Sequence, residues 1–161
     1  MNGEYIKSMD MDAFLERAVP EIRKVISKDL DLGKISAMVK TRIEVFPDIP
    51  EMVAFFETLP EYGTELYQNK KWKVTPEKSL TVLQEFLPKL EAQTDWSNDA
   101  LYEVLKQYSE EAGVKAGFTI WPVRIALSGK SVTPAGATEI MEVLGREESL
   151  ARIRFGIEKL S

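Results

Sequence analysis

The sequence predicts an all-α fold made of two packed small helical bundles. Apolar residues recur at three- and four-residue steps through most of the chain, and alternation with a period of two is scarce. Cap-then-proline pairs such as Thr75-Pro76 mark helix starts, and glycines such as Gly113 mark helix ends. No heptad pattern persists for three or four repeats, so bundles are favoured over a coiled coil. We expect roughly eight to ten short helices.

The first helices are predicted from caps and breaks. Asp10 and Asp31 each precede an apolar periodic stretch and are predicted N-caps, and Pro20 suits the first turn of a helix between them. Two prolines within residues 46–50 predict a break, and residues 52–56 predict a short apolar helix after it. The residues expected to face the core here are Phe14, Leu15, Ile22, Val25, Ile26, Ile35, Met38, Val39, Met52, Val53, Phe55 and Phe56.

A subdomain boundary is predicted at the basic stretch Asn69–Lys73. Its sequence, NKKWK, predicts an exposed connector after a turn at residues 59–63, and the composition of the chain changes at this connector. Residues 1–73 are therefore predicted to form a first helical subdomain. Residues 74–161 are predicted to form a second, C-terminal helical subdomain.

The second subdomain has clearer helix signals. Thr75 is a predicted N-cap for a helix with leucines at 80, 83, 87 and 90, which Pro88 should kink or end. Ser97 is predicted to cap the next helix, which should end at Gly113 in a left-handed C-cap. A helix that Pro122 should open or kink leads to Gly129. Thr133-Pro134 predicts a further helix that ends at Gly145, and the last helix carries Leu150, Ile153, Ile157 and Leu160.

The composition excludes several kinds of chemistry. The chain has no histidine and no cysteine, so the commonest general base, the thiol nucleophile, thiolate metal sites and disulfides are all absent. Catalytic and metal sites are therefore not expected. No apolar run approaches the ~20 residues needed to cross a bilayer, and no signal peptide is evident, so a cytoplasmic protein without membrane contact is expected.

Charge is distributed unevenly along the chain. The net charge is −5, which alone argues against a nucleic-acid partner. Residues 1–112 carry 14 basic and 21 acidic side chains, whereas residues 113–161 carry 7 basic and 5 acidic ones. The C-terminal third could therefore face a polyanion, although on charge alone ordinary fluctuation of a mixed surface is the preferred explanation.

Three short segments could carry function. In WPVR, Arg124 offers a planar fork of donors for a base edge or a phosphate, and Trp121 could stack on an unpaired base or belong to the core. The loop at residues 129–136 could present backbone N–H groups or be an ordinary turn. Basic and aromatic residues interleave at 70–73, as on single-strand binding surfaces or in a solvated linker.

Motifs along nearly the whole chain resemble the anticodon-binding region of bacterial glutamyl-tRNA synthetases. Asn2-Gly-Glu-Tyr-Ile6 resembles the family's NG-x-Y-I signature, and residues 115–129, KAGFTIWPVRIALSG, resemble its K-x-G-x-x-x-W/Q-P-x-R-x-A-L-T/S-G helix. Residues 133–140 and 143–153 resemble its closing block, and residues 39–56 resemble its first helical subdomain. The order and the spacing agree, and residues 75–112 are only generically helical.

The resemblance implies anticodon recognition without chemistry. The family's catalytic part is a class I Rossmann-type domain that uses ATP and Mg²⁺, and its two signature motifs are absent here, so the chain is expected to be a non-catalytic fragment without a cofactor of its own. The implied partners are a glutamate-accepting tRNA and the catalytic domain of the same protein, with the protein acting in translation as a monomer.

The resemblance also implies particular contact residues. Arg124 takes the place of the family arginine that contacts anticodon bases, with Trp121 beside it. The family's TP-x-G loop lines the first anticodon base, and a basic residue of the first subdomain reads the third, for which Arg42 is the candidate and Lys40 the rival. Ala135 stands where the family often has a glycine. The loop residues implicated are Thr133, Pro134, Gly136, Ala137 and Thr138.

Two functions from other classes remain as alternatives. Acidic all-α domains of this size often bind partner proteins, so a helical protein-interaction module without RNA binding is the first alternative. Its binding should depend little on salt, whereas RNA binding should weaken steeply as salt rises. The second alternative is a complete but unusual enzyme, which the lack of histidine and cysteine disfavours.

Overall fold

A computed structural model describes residues 2–161, with side chains from Glu4 onward. Met1 lies outside the described residues, and of Asn2 and Gly3 only the backbone is described. The all-α prediction is confirmed, because the described residues form helices, turns and one isolated bridge between Asn69 and Val74. The α-helices are α1 (Asn2–Ser8), α2 (Met11–Arg23), α3 (Leu32–Lys40), α4 (Ile49–Val53), α5 (Pro76–Ala92), α6 (Asn98–Ala112), α7 (Ala116–Ser128), α8 (Ala137–Leu144) and α9 (Arg146–Leu160). Three short 3-10 helices cover Phe46–Asp48, Ala54–Phe56 and Thr64–Tyr67.

The predicted N-caps are confirmed. The side chains of Asp10, Asp31, Thr75 and Ser97 each accept a hydrogen bond, at 3.1–3.3 Å, from a backbone N–H two or three residues later. Each bond satisfies one of the N–H groups that a helix leaves without an internal partner at its start. The starts of α2, α3, α5 and α6 are therefore fixed by local side-chain chemistry.

The prediction for Pro20 is wrong, because Pro20 does not open a helix and α2 runs unbroken from Met11 to Arg23. Of the two outcomes predicted for Pro88, an end of the helix is wrong, because α5 continues to Ala92, and a kink stays a prediction. Both prolines are exposed, and so are Glu16 and Gln84, the residues four positions earlier. The carbonyl groups that lose their helical partners therefore face water, which lowers the penalty for an internal proline.

The predicted helix start at Thr133-Pro134 is also wrong. Helix α8 begins at Ala137, with Gly136 as its N-cap. The Thr133 hydroxyl donates to the Ala135 carbonyl oxygen at 2.7 Å and closes a turn before the helix. The Glu139 carboxylate accepts from the Gly136 N–H at 3.3 Å, so the cap interaction comes from within the first turn of the helix.

The first compact unit contains the chain up to Thr58 together with Val132–Ala135. Helices α2, α3 and α4 enclose its core, in which the Phe14 and Phe46 rings lie 5.5 Å apart between centroids. The Glu57 carboxylate accepts from the Ser27 N–H at 3.0 Å, from the Ser27 hydroxyl at 2.8 Å and from the Lys28 N–H at 3.2 Å. These hydrogen bonds hold the pKa of Glu57 below its usual range.

The second compact unit contains Leu59–Ser131 and Gly136–Ser161. Helices α5 and α9 pack along each other, and α7 lies against α5, α6, α8 and α9. Arg152 is buried, with its guanidinium donating to the Leu127 carbonyl oxygen at 2.7 Å and paired with Glu148 at 2.7 Å. Positive φ at Gly113 (72°) confirms the predicted left-handed C-cap, and Gly129, the predicted end of α7, has the same conformation (65°).

This division by contacts differs from the predicted boundary between residues 73 and 74, because residues 59–73 pack with the second unit. Tyr67 is fully buried, and a methyl group added at Gly156 would lie 2.8 Å from the Tyr67 hydroxyl oxygen. The Trp121 indole N–H donates to the Leu66 carbonyl oxygen at 2.9 Å. Burial of this segment against α7 and α9 therefore places it in the second unit.

Membrane-crossing helices are not found in the described part of the chain. No helix there combines the length and the apolar character that a bilayer span requires.

Candidate nucleic-acid interface

Arg124 lies in the last two turns of α7, and its guanidinium is oriented by two neighbours. The residue is half-buried, its Nη2 donates to the Ser131 carbonyl oxygen at 2.9 Å, and its Cζ lies 5.1 Å from the centroid of the Trp121 ring. These contacts orient the guanidinium, whose planar fork of N–H donors matches a base edge or a phosphate.

Trp121 is partly a core residue and partly a surface residue. Its indole N–H is used inside the unit, on the Leu66 carbonyl oxygen, while the side chain as a whole is only half-buried. The ring also serves as the platform beside the Arg124 guanidinium. Trp121 therefore holds Arg124 in place, and its ring keeps an exposed portion.

A pocket of about 510 Å³ opens within the second unit. Ile120 lines it from α7, and Arg124 is four residues further along, so the two side chains are neighbours on one face of the helix. The start of α8 forms another wall and α6 forms the third. The other residues that line the pocket are Asn98, Asp99, Tyr102, Glu103, Gly136, Ala137, Thr138 and Glu139.

The polar groups of the pocket suit a base better than a phosphate. Asp99, Glu103 and Glu139 place carboxylates around it. Carboxylates accept hydrogen bonds from base amino groups and repel phosphate oxygens. Tyr102 is 42% exposed, and an exposed aromatic face of this kind can stack on an unpaired base. The pocket volume lies within the usual range for small-ligand sites.

Gly136 is exposed at the start of α8, and neither its backbone nor its packing requires a glycine. Its φ of −79° is open to any residue. An added methyl group would meet only the Glu139 Oε1 atom, at 3.7 Å. The absence of a side chain therefore leaves open space at the pocket wall.

The predicted loop residues differ in accessibility. Ala137 and Thr138 line the pocket although both are largely buried, and the Thr138 hydroxyl donates to Asn98 Oδ1 at 2.6 Å. Thr133 and Pro134 are buried and belong to the first compact unit. Ala135 does not adopt a positive φ, so alanine is compatible with the backbone here.

Arg42 also lies in the first unit, just past the end of α3, and it is exposed. Its rival Lys40 is half-buried, donates from Nζ to the Lys7 carbonyl oxygen at 2.5 Å and lies 5.9 Å from the centroid of the Phe14 ring. Lys40 is thus engaged within its own unit. Arg42 is the better placed of the two for an external partner.

The sequence interpretation missed the α6 wall of the pocket. Asn98 and Tyr102 lie one turn apart on α6, and only the fold brings them to Gly136 and Thr138. The sequence carried no signal for this wall. Tyr102 falls on the polar face of an amphipathic helix, next to the inward-facing Leu101, and a single exposed aromatic residue is ordinary on a protein surface.

Clusters with the residues of a metal site are not found where the structure is described. No group of three or more His, Cys, Asp or Glu residues there is arranged to hold an ion.

The chain matches a family and several known proteins. The model of the family described as "Anticodon binding domain" matches residues 13–157. A glutamate–tRNA ligase from Lachnoclostridium phytofermentans is 54% identical over 161 residues, which are 100% of this chain and 33% of the relative. One from Clostridium acetobutylicum is 47% identical, over 99% of this chain and 33% of the relative. The chain thus spans about a third of the length of these relatives.

Solved structures show the same fold. A glutamate tRNA ligase from Elizabethkingia meningosepticum, solved in complex with its amino acid, superposes with a TM-score of 0.84 at 26% identity, over 99% of this chain and 31% of that one. A glutamate-tRNA synthetase from Elizabethkingia anophelis gives a TM-score of 0.77 at 25% identity, over 98% of this chain and 30% of that one.

Proposed function

Since the chain belongs to the anticodon-binding domain family, in the form found in glutamate–tRNA ligases, we propose that it binds the anticodon loop of a glutamate-accepting tRNA. In this role the chain performs recognition and no chemistry, and the ligase reaction with ATP belongs to the part of the relatives that it does not match. It acts as a monomer in the cytoplasm, joined to that catalytic part.

The observation that carries the proposal is the combination of Arg124 with the pocket that Ile120, one turn earlier on the same helix, lines. Arg124 is oriented by Trp121 and Ser131, and its neighbour Ile120 lines a pocket bordered by carboxylates and an exposed tyrosine. Bases of a single-stranded loop splay out and present their edges. The guanidinium reads one base edge while the pocket receives another base.

The first experiment is a titration of the chain with glutamate tRNA and with a copy whose anticodon is altered. We expect the chain to prefer the native anticodon. We expect Arg124→Ala to weaken binding of the native tRNA by about 1–3 kcal/mol, the usual contribution of a bidentate base contact, and to remove most of the preference. Measurements at about 50 and 200 mM salt separate this contact from general attraction to phosphate.

Arg154→Ala is the matched control. Arg154 is exposed in the same unit and pairs with Glu91 at 2.7 Å, so its loss makes the same change in net charge at low structural cost. The control should keep the preference for the native anticodon. Equal affinity for both tRNAs, or an Arg124→Ala variant that binds like the parent, contradicts base recognition. Failure to bind either tRNA contradicts the proposal as a whole.

A further inference from the structure

The basic turn, which we define as Asn69–Lys73, is a closed and ordered structure. The backbones of Asn69 and Val74 exchange two N–H···O hydrogen bonds of 2.9 Å each. The Asn69 side chain accepts from the Trp72 N–H at 3.2 Å, and the Lys73 N–H donates to the Lys70 carbonyl oxygen at 3.3 Å. The interpretation of this segment as a plain solvated linker does not fit such a turn.

Trp72 anchors the basic turn to α7. Its half-buried indole lies directly on Gly117, where a methyl group would fall 2.4 Å from the ring. The glycine of the K-x-G motif is thereby explained, because any side chain there would displace the indole. The turn is therefore fixed to the N-terminal end of the helix that carries Arg124 nearer its other end.

Lysines project from this fixed turn. Lys70, Lys71 and Lys73 are exposed, and Lys78, whose Nζ lies 3.4 Å from the Lys73 carbonyl oxygen, adds a fourth exposed ammonium. Lys115 is also exposed and lies two residues before Gly117, on which Trp72 packs. In the part of the chain that the structure describes, the ion pairs involve other cations.

Two of these lysines occupy positions that the fold disfavours. Lys73 has a φ of 59° and is the non-glycine residue with a positive φ among those described. Such a backbone is unfavourable for a residue with a side chain. Lys78 lies in the first turn of α5, where the helix dipole repels a cation. The fold alone therefore does not account for the positive charge here.

The charge of this surface contrasts with the rest of the molecule. Residues 69–78 contain four lysines and one acid, Glu77, and are net +3, while the whole chain is net −5. A compact cationic surface on an acidic protein attracts a polyanion locally. Seven residues of α7 separate Gly117, on which Trp72 packs, from Arg124, a distance of roughly 10 Å along the helix, so one RNA stem-loop reaches both.

We propose that the lysines of the basic turn, with Lys78 and Lys115, hold the phosphate backbone of the RNA partner independently of its base sequence. The identity of the partner rests on the proposed function. The lysines contribute affinity, and the pocket with Arg124 contributes the choice of anticodon. The basic turn acts as a fixed clamp because its closure and Trp72 hold the lysines in place.

The test combines Lys70→Gln, Lys71→Gln and Lys73→Gln in one variant of the full chain. Binding of native and anticodon-altered glutamate tRNA is titrated over a series of salt concentrations. We expect weaker binding of both RNAs and an unchanged ratio of the two affinities. The slope of log affinity against log salt concentration should be shallower by about two to three units, since each lost phosphate contact removes about 0.7–0.9 from it. The side chains are exposed, so the thermal unfolding temperature should not fall.

The matched control replaces Lys7, Lys28 and Lys89, three exposed lysines elsewhere, by glutamine. It makes the same change in net charge and should leave the slope almost unchanged. An unchanged slope in the turn variant, or an equal drop in the control, overturns the inference. If the turn variant shows the expected slope change while the parent chain shows no anticodon preference, the clamp stands and base recognition fails. If the parent prefers the native anticodon but the turn variant keeps the parent's slope, the clamp alone is rejected.

Discussion

At the scale of single residues, Gly136 is a position at which a substitution should change RNA binding while the chain still folds. It lies at the pocket wall in an ordinary backbone conformation, with open space where a side chain would be. A residue that the fold does not need as glycine is available to a ligand that approaches the backbone closely. Gly113 and Gly129 differ from it, because their positive φ itself favours glycine.

For Gly136→Ala we therefore expect an intact fold and impaired RNA binding. The free energy of unfolding should fall by no more than about 1 kcal/mol, because alanine is a poorer N-cap than glycine, while the backbone angles and the packing admit it. The affinity for glutamate tRNA should fall, because the methyl group occupies the pocket wall. Urea denaturation and tRNA titration of the same preparation measure the two effects, and a variant that binds like the parent would show that no base approaches this backbone.

At the scale of helices and turns, Gly113 and Gly129 form a natural pair. Both end a helix with positive φ, at 72° and 65°. A methyl group at Gly113 would meet nothing within 4 Å, whereas one at Gly129 would lie 2.9 Å from the Tyr62 ring and 3.1 Å from Pro60. The same backbone requirement thus occurs once in open space and once in a packed site.

We predict that Gly113→Ala lowers the free energy of unfolding by about 1–2 kcal/mol, the cost of a left-handed alanine. Gly129→Ala should cost more, because the ring of Tyr62 must also move. Urea midpoints of the two variants test this order, and equal losses would mean that the contact with Tyr62 relaxes freely.

The Glu57 carboxylate joins two segments of the first unit through its bonds to Ser27 and Lys28, and its pKa is lowered by these hydrogen bonds. A depressed folded-state pKa adds stability above the unfolded-state pKa, and this stability is lost as pH falls through the folded value. Glu57→Gln should therefore be less stable than the parent at neutral pH. The difference should shrink as pH is lowered through the acidic range in which a glutamate carboxyl takes up its proton.

Urea titrations of both proteins across this pH range, followed by circular dichroism, measure that difference. A stability difference that stays constant at every pH would assign the effect to lost geometry and not to the carboxylate charge.

The sequence predicted local features well and contacts between distant residues poorly. Caps such as Asp31 and Ser97 act on backbone groups within three residues, so their effect can be deduced locally. The place of residues 59–73 depends on the burial of Tyr67 against Gly156, which only the fold reveals. The same holds for the site, since Arg124 lies in a recognisable motif while Tyr102 joins the pocket through packing of α6.

At the scale of the whole molecule, an acidic chain binds an anion only through local patches. The pI is about 5.0 and the net charge is −5, so the overall field opposes RNA. The carboxylates around the pocket add to this opposition for phosphate groups. The proposed clamp and Arg124 therefore determine where on the surface the RNA makes contact.

The lack of histidine and cysteine gives a prediction for the whole chain. No side chain present has an ordinary pKa between about 6 and 7, and the shifts at Glu57 and Asp95 are downward, away from this range. Affinity for glutamate tRNA at constant ionic strength should therefore be flat across it. Calorimetric titrations at several pH values test this, and a midpoint within the range would reveal a strongly shifted group.

The three indole rings each have a cation nearby: Lys71 at 5.0 Å from the Trp72 centroid, Arg124 at 5.1 Å from Trp121 and Arg146 at 6.0 Å from Trp96. All three are half-buried, so their emission responds to the surface around them. Trp72 sits at the proposed clamp and Trp121 beside the base-reading arginine. In a variant that keeps only one of these tryptophans, the intrinsic fluorescence would report on a single part of the protein's RNA-binding surface, without an attached dye.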